Sequence, residues 1–228
     1  AELLVHGKST FTAIFDAIDR ARDYVLVEFF ILNTDELGQE LKRRLINCCR
    51  SGVRVYLLYD SIGSYGLPLG YRQELIANGV RVRAFGSPGR FRNRFQLNFR
   101  NHRKIVVADG VIGFVGGHNV GDEDLGVSKR VGFWRDTHIK LTGPAVLDLQ
   151  RAFLENWLYV TGEDLELNWV SRPGNGETSV LVVPSGPADE LETCSLFFVH
   201  MLNLARQRAW IPSPYFVPNE AVLDAWGV

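Results

Sequence analysis

The chain has 228 residues, 46% of them hydrophobic, and a formal net charge of −1 at pH 7. This length and apolar content suffice for a full core, as one large or two small domains. The sequence has no signal peptide and no run of about 20 apolar residues, which excludes a membrane-spanning helix within it. Its first residue is not Met, which is compatible with an upstream segment. Its three cysteines lack metal-ligand spacing, so we expect no disulfide and no zinc.

Strands and helices alternate over the first 85 residues. Apolar strands are predicted at 2–5, 24–32, 53–59 and 80–85, and amphipathic helices at about 10–22, 35–52 and 71–78. This alternation predicts an α/β fold, in which helices flank a mixed, mostly parallel sheet. Glu28 is the one charged residue inside the strand at 24–32. A buried carboxylate needs a partner, and we consider Glu28 a wall residue of a substrate site.

The basic residues cluster in one window of the chain. No acidic residue lies between Glu74 and Asp109, and this window holds eight positive charges: Arg81, Arg83, Arg90, Arg92, Arg94, Arg100, Arg103 and Lys104. Such a window attracts phosphate-bearing substrates or an anionic membrane surface. Within it, residues 86–99 interleave arginines with phenylalanines. Two interpretations stay open: a loop whose aromatics pack on the domain, and a lip that inserts Phe among lipid headgroups.

The most informative stretch is residues 98–122, predicted as a strand, a tight turn, a second strand and a polar loop. His102 and Lys104 are two residues apart, so on a strand they point to the same face. Asp109-Gly110 is a hairpin turn signal. Gly116-Gly117 has little side-chain bulk and lets a phosphate approach backbone N–H groups.

These residues suit attack on a phosphodiester without a metal. A histidine acts as nucleophile or as acid/base near neutral pH, a lysine supplies positive charge, and the Asn119 amide can donate to an anionic oxygen. His102, Lys104, Asp109, Gly116 and Asn119 fit the spacing H-x-K-x4-D-x6-G-(S/G)-x-N. This is the signature of the phospholipase D superfamily, which the chain resembles.

The pattern of predicted strands and helices begins again after residue 178. A helix predicted at 145–159 and a Gly/Pro-rich stretch are followed by a strand at 179–183, a helix from about 189 to 206 and a strand at 209–211. This is a weak internal repeat of the first segments. We therefore predict a first domain at 1–165, a linker at 166–178, and at 179–228 the beginning of a second, similar domain that is incomplete.

The resemblance is closest to the bacterial cardiolipin synthases of that superfamily. It rests on NFRNHRKIVVADG, GGHNVGDE, FWRDTHIKLTGPAV and PYFVPNEAVLDA. It implies a phospholipase D-like fold. It also implies a phosphatidyl transferase that converts two phosphatidylglycerol molecules into cardiolipin and glycerol through a covalent phosphohistidine. Family members have two repeats whose histidines share one active site, and N-terminal transmembrane helices. The implied location is the bacterial cytoplasmic membrane, with attachment through segments outside this chain.

The resemblance also assigns roles to residues. His102 attacks phosphorus, or acts as acid/base for a partner histidine from the second repeat. Lys104 and Asn119 neutralise charge on the phosphate. Asp136 accepts a hydrogen bond of about 2.6–3.2 Å from a His102 ring nitrogen. The remaining assignments are substrate binding by Gly116, Gly117, Arg100 and Glu28, and hairpin shaping by Asp109 and Gly110. Gly117 departs from the Ser of many members. No cofactor and no metal are implied.

Two other functions stay open at this point. One is a phospholipase D-type hydrolase or nuclease of the same superfamily, and the other a non-catalytic membrane-binding member. The partners we expect are a phospholipid, phosphatidylglycerol in the first place, and an anionic membrane surface, with no nucleic acid. Since no other histidine of the sequence begins a matching H-x-K-x4-D motif, we expect a half-site, and a homodimer that pairs two copies of His102 is the alternative.

Overall fold

The computed structural model describes residues 1–86, 100–127, 132, 134–174, 176–186, 191–213 and 217–227. They belong to two compact units, Ala1–Val182 and Val183–Val228. The segment predicted as a membrane lip lies outside the described residues, apart from Gly86. No helix in the described ranges is long and apolar enough to cross a bilayer.

The described residues contain seven strands and six helices. The strands are β1 (Glu2–Val5), β2 (Tyr24–Phe29), β3 (Arg54–Asp60), β4 (Arg81–Phe85), β5 (Ile105–Ala108), β6 (Ile112–Gly116) and β7 (Thr137–Thr142). The helices are α1 (Gly7–Arg20), α2 (Glu36–Arg50), α3 (Leu69–Ala77), α4 (Ala145–Thr161), α5 (Thr193–Leu204) and α6 (Glu220–Trp226).

All seven strands form one sheet in the order β1-β7-β6-β5-β2-β3-β4. β2, β3 and β4 are parallel, whereas the other four neighbouring pairs are antiparallel. The predicted α/β fold is confirmed, but the expectation of a mostly parallel sheet is wrong. Helical crossovers connect β2 to β3 and β3 to β4, which keeps those strands parallel, while the tight turn between β5 and β6 reverses the chain.

Helices cover both faces of the sheet. On β2, Val25, Val27 and Phe29 face the core formed with α1, α2 and α3. Tyr24 and Leu26 face the core formed with α4, whose Phe153 and Trp157 are fully buried. Side chains alternate along a strand, so Glu28 points to the α4 side. The continuous apolar sequence of β2 follows from burial on both faces.

The β5–β6 turn is fixed to the start of β2. The Asp109 carboxylate accepts hydrogen bonds from the backbone N–H groups of Arg22, Asp23 and Tyr24 at 2.8–2.9 Å. Gly110 follows with φ +66°, and a Cβ there would lie 2.8 Å from the Tyr24 hydroxyl. Asp109 therefore organises the turn, at the opposite end of β5 from Lys104.

The second unit contains α5 and α6. Asn219 caps α6 by accepting from Val222 N–H, and its Nδ2 donates to Glu192 and Ser195, each at 3.0 Å. Residues 179–183 and 209–211 form no strand, contrary to expectation. A strand requires a hydrogen-bonding neighbour, and neither segment has one among the described residues. The assignment of 179–228 to a second similar domain stays a prediction.

Candidate active site

One edge of the sheet collects the segments that carry the predicted site residues. β2 and β3 are parallel and end at this edge, and β5, antiparallel to β2, begins there, with Glu28 opposite Ile105. β6 returns to the same edge and β7 leaves from it, with Gly116 opposite His138. The topology therefore brings His102, Asn119 and Asp136 to the same end of the sheet.

His102 and Lys104 lie side by side. The Lys104 ammonium Nζ is 3.1 Å from His102 Nδ1 and donates to the His102 carbonyl oxygen at 2.7 Å. Both residues precede β5, which begins at Ile105, rather than lying within it as predicted. The Phe30 ring packs on His102 with 4.5 Å between ring centroids, and Lys104 Nζ lies 5.2 Å from the same ring. His102 thus has one ring face covered and one nitrogen against a cation.

Burial and charge set the protonation of this pair. Lys104 is only 3% exposed, and burial lowers its pKa to about 8, against the opposing effect of the Asp124, Asp136 and Asp60 carboxylates. Partial burial, and then the Lys104 charge, also lower the pKa of His102, while Asp60 raises it. Near pH 7 the histidine is therefore neutral and most of the lysine is charged.

The Lys104 contact also determines which His102 nitrogen carries the ring proton. An ammonium group only donates, so Nδ1 is the acceptor in this contact. The proton of the neutral ring then resides on Nε2. In this resting arrangement His102 presents a donor, rather than a lone pair, at Nε2.

Asn119 is oriented by the loop that follows β6. Its side-chain oxygen accepts from Ile31 N–H at 3.1 Å, and its own N–H donates to Asp124 at 2.9 Å. A bridge between Leu32 and Val120 fixes this loop to the segment after β2. With its oxygen engaged, Asn119 has its amide NH2 group as the remaining donor of the side chain.

Asp136 packs directly on Gly117. A Cβ at Gly117 would lie 2.1 Å from Asp136 Oδ1, so no Ser side chain fits here without moving Asp136. Gly117 N–H donates to Thr137 O at 3.1 Å, and the binding of phosphate by Gly117 stays a prediction. Asp136 Oδ1 accepts from Thr137 N–H at 2.7 Å, and among the described residues no hydrogen bond joins Asp136 to His102. The Asp136 charge instead raises the pKa of Lys104.

Glu28, which was expected to line a substrate site, lies inside the protein, and its role in substrate binding stays a prediction. It is fully buried, and its Oε1 accepts from Asn101 Nδ2 and, at 2.7 Å, from Asn156 Nδ2. Its Oε2 has no partner among the described residues. Burial raises the pKa of Glu28 to about 7, opposed by the two amide contacts and the Arg103 charge. A side chain enclosed in this way stabilises the loop that leads to His102.

Two further predicted site residues have simpler surroundings. Gly116 needs the absence of a side chain, since a Cβ there would lie 2.5 Å from the Cα of His138 on the neighbouring strand. Its requirement for glycine is therefore explained by strand packing. Arg100 is exposed at the start of the loop that leads to His102.

Sequence reasoning missed the roles of three buried polar residues and one aromatic residue. Asn101, Asp60 and Asp124 are buried beside the His102–Lys104 pair, and Phe30 covers it. Asp60 does follow an apolar strand, at the end where ligands gather in open α/β sheets. Asn101 and Asp124 carry no periodic signal and are recognised only from the folded loops.

The residues near the site also bear on metal binding. In the part of the chain that the structure describes, no cluster of three or more His, Cys, Asp or Glu side chains is arranged to hold a metal ion. His118 and His138 are both buried and stack with ring centroids 5.7 Å apart. Burial lowers the pKa of His138 to about 3, so the His138 ring is neutral near pH 7.

Comparison with known proteins assigns the family. The family model for the cardiolipin synthase, PLD-like domain matches residues 14–131. A cardiolipin synthase A of Pseudomonas putida is 50% identical over 225 residues, which are 98% of this chain and 47% of that protein. The counterpart of Pseudomonas fluorescens strain SBW25 is 52% identical with the same coverage. The chain belongs to the cardiolipin synthase, phospholipase D-like family. It spans about half the length of the curated relatives that it matches.

Solved structures share the fold at low sequence identity. Nuc of Salmonella typhimurium, a phospholipase D family member, has a TM-score of 0.51 and 14% identity, and the match covers 72% of this chain and 97% of Nuc. A phosphatidylserine synthase of Haemophilus influenzae has a TM-score of 0.53 and 17% identity, and covers 69% of this chain and 36% of its own. These matches establish the phospholipase D-like fold.

Proposed function

We propose that this chain supplies one half of the active site of a cardiolipin synthase. The reaction is a phosphodiester exchange that converts two phosphatidylglycerol molecules into cardiolipin and glycerol. One observation carries the proposal: a neutral His102 held 3.1 Å from the ammonium of a buried Lys104, in a member of this family. A neutral imidazole can act on phosphorus, and an adjacent desolvated cation stabilises the charge that develops on the phosphate.

The exchange takes two chemical steps. In the first, His102 Nε2 attacks phosphorus, a nitrogen–phosphorus bond forms, and the bond to the glycerol oxygen breaks as that oxygen takes a proton from an acid. In the second, the hydroxyl of another phosphatidylglycerol gives its proton to the same group and attacks phosphorus, which releases His102. Lys104 and the Asn119 NH2 group bind the non-bridging oxygens.

The resting contact between Lys104 and His102 has a consequence for the first step. Attack by Nε2 requires the ring proton on Nδ1, whereas Lys104 holds it on Nε2. A phosphate that draws the Lys104 ammonium to its own oxygens releases Nδ1 to take the proton. Substrate binding would thus activate the nucleophile.

The acid of the first step is proposed to come from outside this chain. Within the first unit, His118 and His138 are both fully buried, so neither is exposed to a substrate. A histidine of the second family repeat fits this role. The chain would then be a half-site, placed at the bacterial cytoplasmic membrane by segments outside it.

The test uses the full-length protein that carries this sequence, with phosphatidylglycerol vesicles. We expect cardiolipin and glycerol from the unchanged protein and at least ~10³-fold slower turnover from His102→Gln, since the covalent step is lost. His200→Gln, which changes an exposed histidine of the second unit, is the matched control and should leave turnover unchanged. Release of phosphatidic acid without cardiolipin would establish the hydrolase instead, and cleavage of DNA would establish the nuclease.

A further inference from the structure

Asn101, the residue before His102, is held from three directions. Its Nδ2 donates to Glu28 Oε1, and its backbone N–H donates to Asp60 Oδ2 at 2.9 Å. Its side-chain oxygen accepts from Arg103 N–H at 3.2 Å, on the far side of His102. The Asn101 side chain thereby closes a short turn around the histidine. Asn101 itself is 6% exposed, so its hydrogen bonds are shielded from competing water.

Both carboxylates that hold Asn101 are themselves fixed. Asp60 Oδ1 accepts from the N–H groups of Ile62 and Gly63, each at 2.8 Å, so the carboxylate is pinned at the end of β3. Glu28 lies near the end of β2, and its Oε1 also accepts from Asn156 of α4. Asn101 is therefore connected to two central strands through acceptors that have little freedom to move.

We infer that Asn101 is a positioning residue, which holds the His102 backbone so that its ring stays between Phe30 and Lys104. This inference rests on the proposed function only for its kinetic consequence. The contacts that carry it are the three hydrogen bonds of Asn101 and the placement of His102 directly after it. We name Asn101, Glu28 and Asp60 together the Asn101 anchor.

The chemistry of the anchor requires a carboxamide. Its NH2 group donates to Glu28, while its oxygen accepts from the backbone, and no other side chain of this length offers both. Aspartate would place a second carboxylate against the buried Glu28 without a donor. Alanine removes both contacts and frees the turn. Since Glu28 accepts through Oε1 whether ionised or protonated at Oε2, the anchor persists on both sides of neutral pH.

The experiment compares Asn101→Ala with Asn156→Ala in the 228-residue chain. Asn156 donates to the same Glu28 oxygen but lies on α4, outside the turn around His102. Imidazole nitrogen NMR shifts report the tautomer of His102 directly. We expect the Nε2–H form in the unchanged chain and in Asn156→Ala. In Asn101→Ala we expect a mixture of tautomers, because the Lys104 contact is no longer maintained.

A kinetic arm uses the full-length protein. Asn101→Ala should lower kcat by ~10²-fold with little change in KM, the scale expected for a displacement of about 1 Å at the reacting group. The NMR experiment does not require turnover. An inactive full-length protein would therefore count against the proposed function, while the tautomer shifts would still test the role of Asn101. Wild-type tautomer shifts in Asn101→Ala, or equal changes in both variants, would overturn the inference. If Asn101→Ala does not fold, Asp60→Asn, which removes one of the two acceptors, applies the same criterion.

Discussion

The Lys104 ammonium keeps its charge, although it is almost fully buried, because three nearby carboxylates stabilise it. Desolvation dominates and lowers its pKa to about 8, while the charges of Asp124, Asp136 and Asp60 limit the shift. The ammonium is therefore the form present below about pH 8. Ionisable groups whose pKa is shifted by burial and by neighbouring charges are common at functional sites.

This protonation predicts how anion binding depends on pH. Between about pH 7 and pH 9, the charged fraction of Lys104 should fall from roughly nine-tenths to about one-tenth, and the affinity for inorganic phosphate should fall with it. Calorimetric titration with phosphate measures the effect. Lys104→Arg keeps its charge across this range and should show a flat profile. The same decline in Lys104→Arg would assign the titration to another group.

The neighbouring histidine provides a second prediction. Removal of the ammonium in Lys104→Met should raise the pKa of His102 towards its ordinary value, because a nearby positive charge is lost. Nδ1 also loses its donor, so both ring tautomers should appear in imidazole NMR spectra. Lys140→Met, whose ammonium pairs with Glu2 on β1, is the control and should change neither property. An unchanged His102 in Lys104→Met would mean that the contact is not made in solution.

Single residues also show what the sequence could and could not provide. The pairing of His102 with Lys104 was predictable from their spacing, although both lie before β5, at the turn that Asn101 closes, rather than on the strand. Glu28 was recognised as a buried carboxylate that needs partners, but the sequence did not identify those partners. Its partners Asn101 and Asn156 come from a loop and a distant helix, which no local pattern connects to β2.

At the scale of elements, the segments that follow β6 and precede β7 pack closely because Gly117 has no side chain. A Ser Cβ at this position would meet the Asp136 carboxylate at 2.1–2.4 Å. We expect Gly117→Ser to lower the free energy of unfolding by about 1–3 kcal/mol, the usual cost of overpacking. Gly66→Ser, where nothing lies within 4 Å of the new Cβ, is the matched control for denaturant unfolding. Equal stability of both variants would show that Asp136 moves aside without cost.

The β2–α4 interface contains a titrating group, Glu28, whose folded pKa is raised from 4.5 to about 7. Between these values the folded chain holds a proton that the unfolded chain has released, so stability falls as pH rises through this window and is level above it. The loss is about 3 kcal/mol at ~1.4 kcal/mol for each pH unit. Glu28→Gln carries no such proton, so its unfolding free energy should lack this decline.

Urea denaturation at about pH 5 and pH 8 measures the difference between the two proteins. Glu155→Gln changes an exposed carboxylate on the same helix, α4, and should follow the unchanged chain. A parallel pH dependence in Glu28→Gln and the unchanged chain would show that Glu28 is ionised throughout, with the Arg103 charge compensating its burial.

Element types were easier to predict than element directions. The alternation of strands and helices up to residue 85 identified the parallel half of the sheet. The Asp109-Gly110 turn signalled the reversal, but its effect on the sheet as a whole was underestimated. The pairing of β1 with β7 joins segments more than 130 residues apart, with Leu4 opposite His138. Such a contact depends on the completed sheet and leaves no local trace in the sequence.

At the scale of the whole molecule, the chain matches only 47% of the length of its curated relatives. The proposed exchange needs one group that attacks phosphorus and another that moves protons to and from the alcohol oxygens. His102 begins the one H-x-K-x4-D motif of the sequence, and its ring lies 3.1 Å from the Lys104 ammonium, so the chain supplies one such group. We therefore predict that the 228-residue chain by itself does not turn over phosphatidylglycerol.

The assay mixes the 228-residue chain with phosphatidylglycerol vesicles and follows cardiolipin and glycerol. No multiple turnover is expected, whereas the full-length protein should be active because it supplies the second group. Adding the remaining sequence as a separate polypeptide should restore activity to the unchanged chain but not to a His102→Gln chain. Robust turnover by the 228-residue chain alone would contradict the half-site. Sedimentation as a dimer, together with a loss of activity on mixing with excess His102→Gln chain, would then place two copies of His102 in one symmetric site.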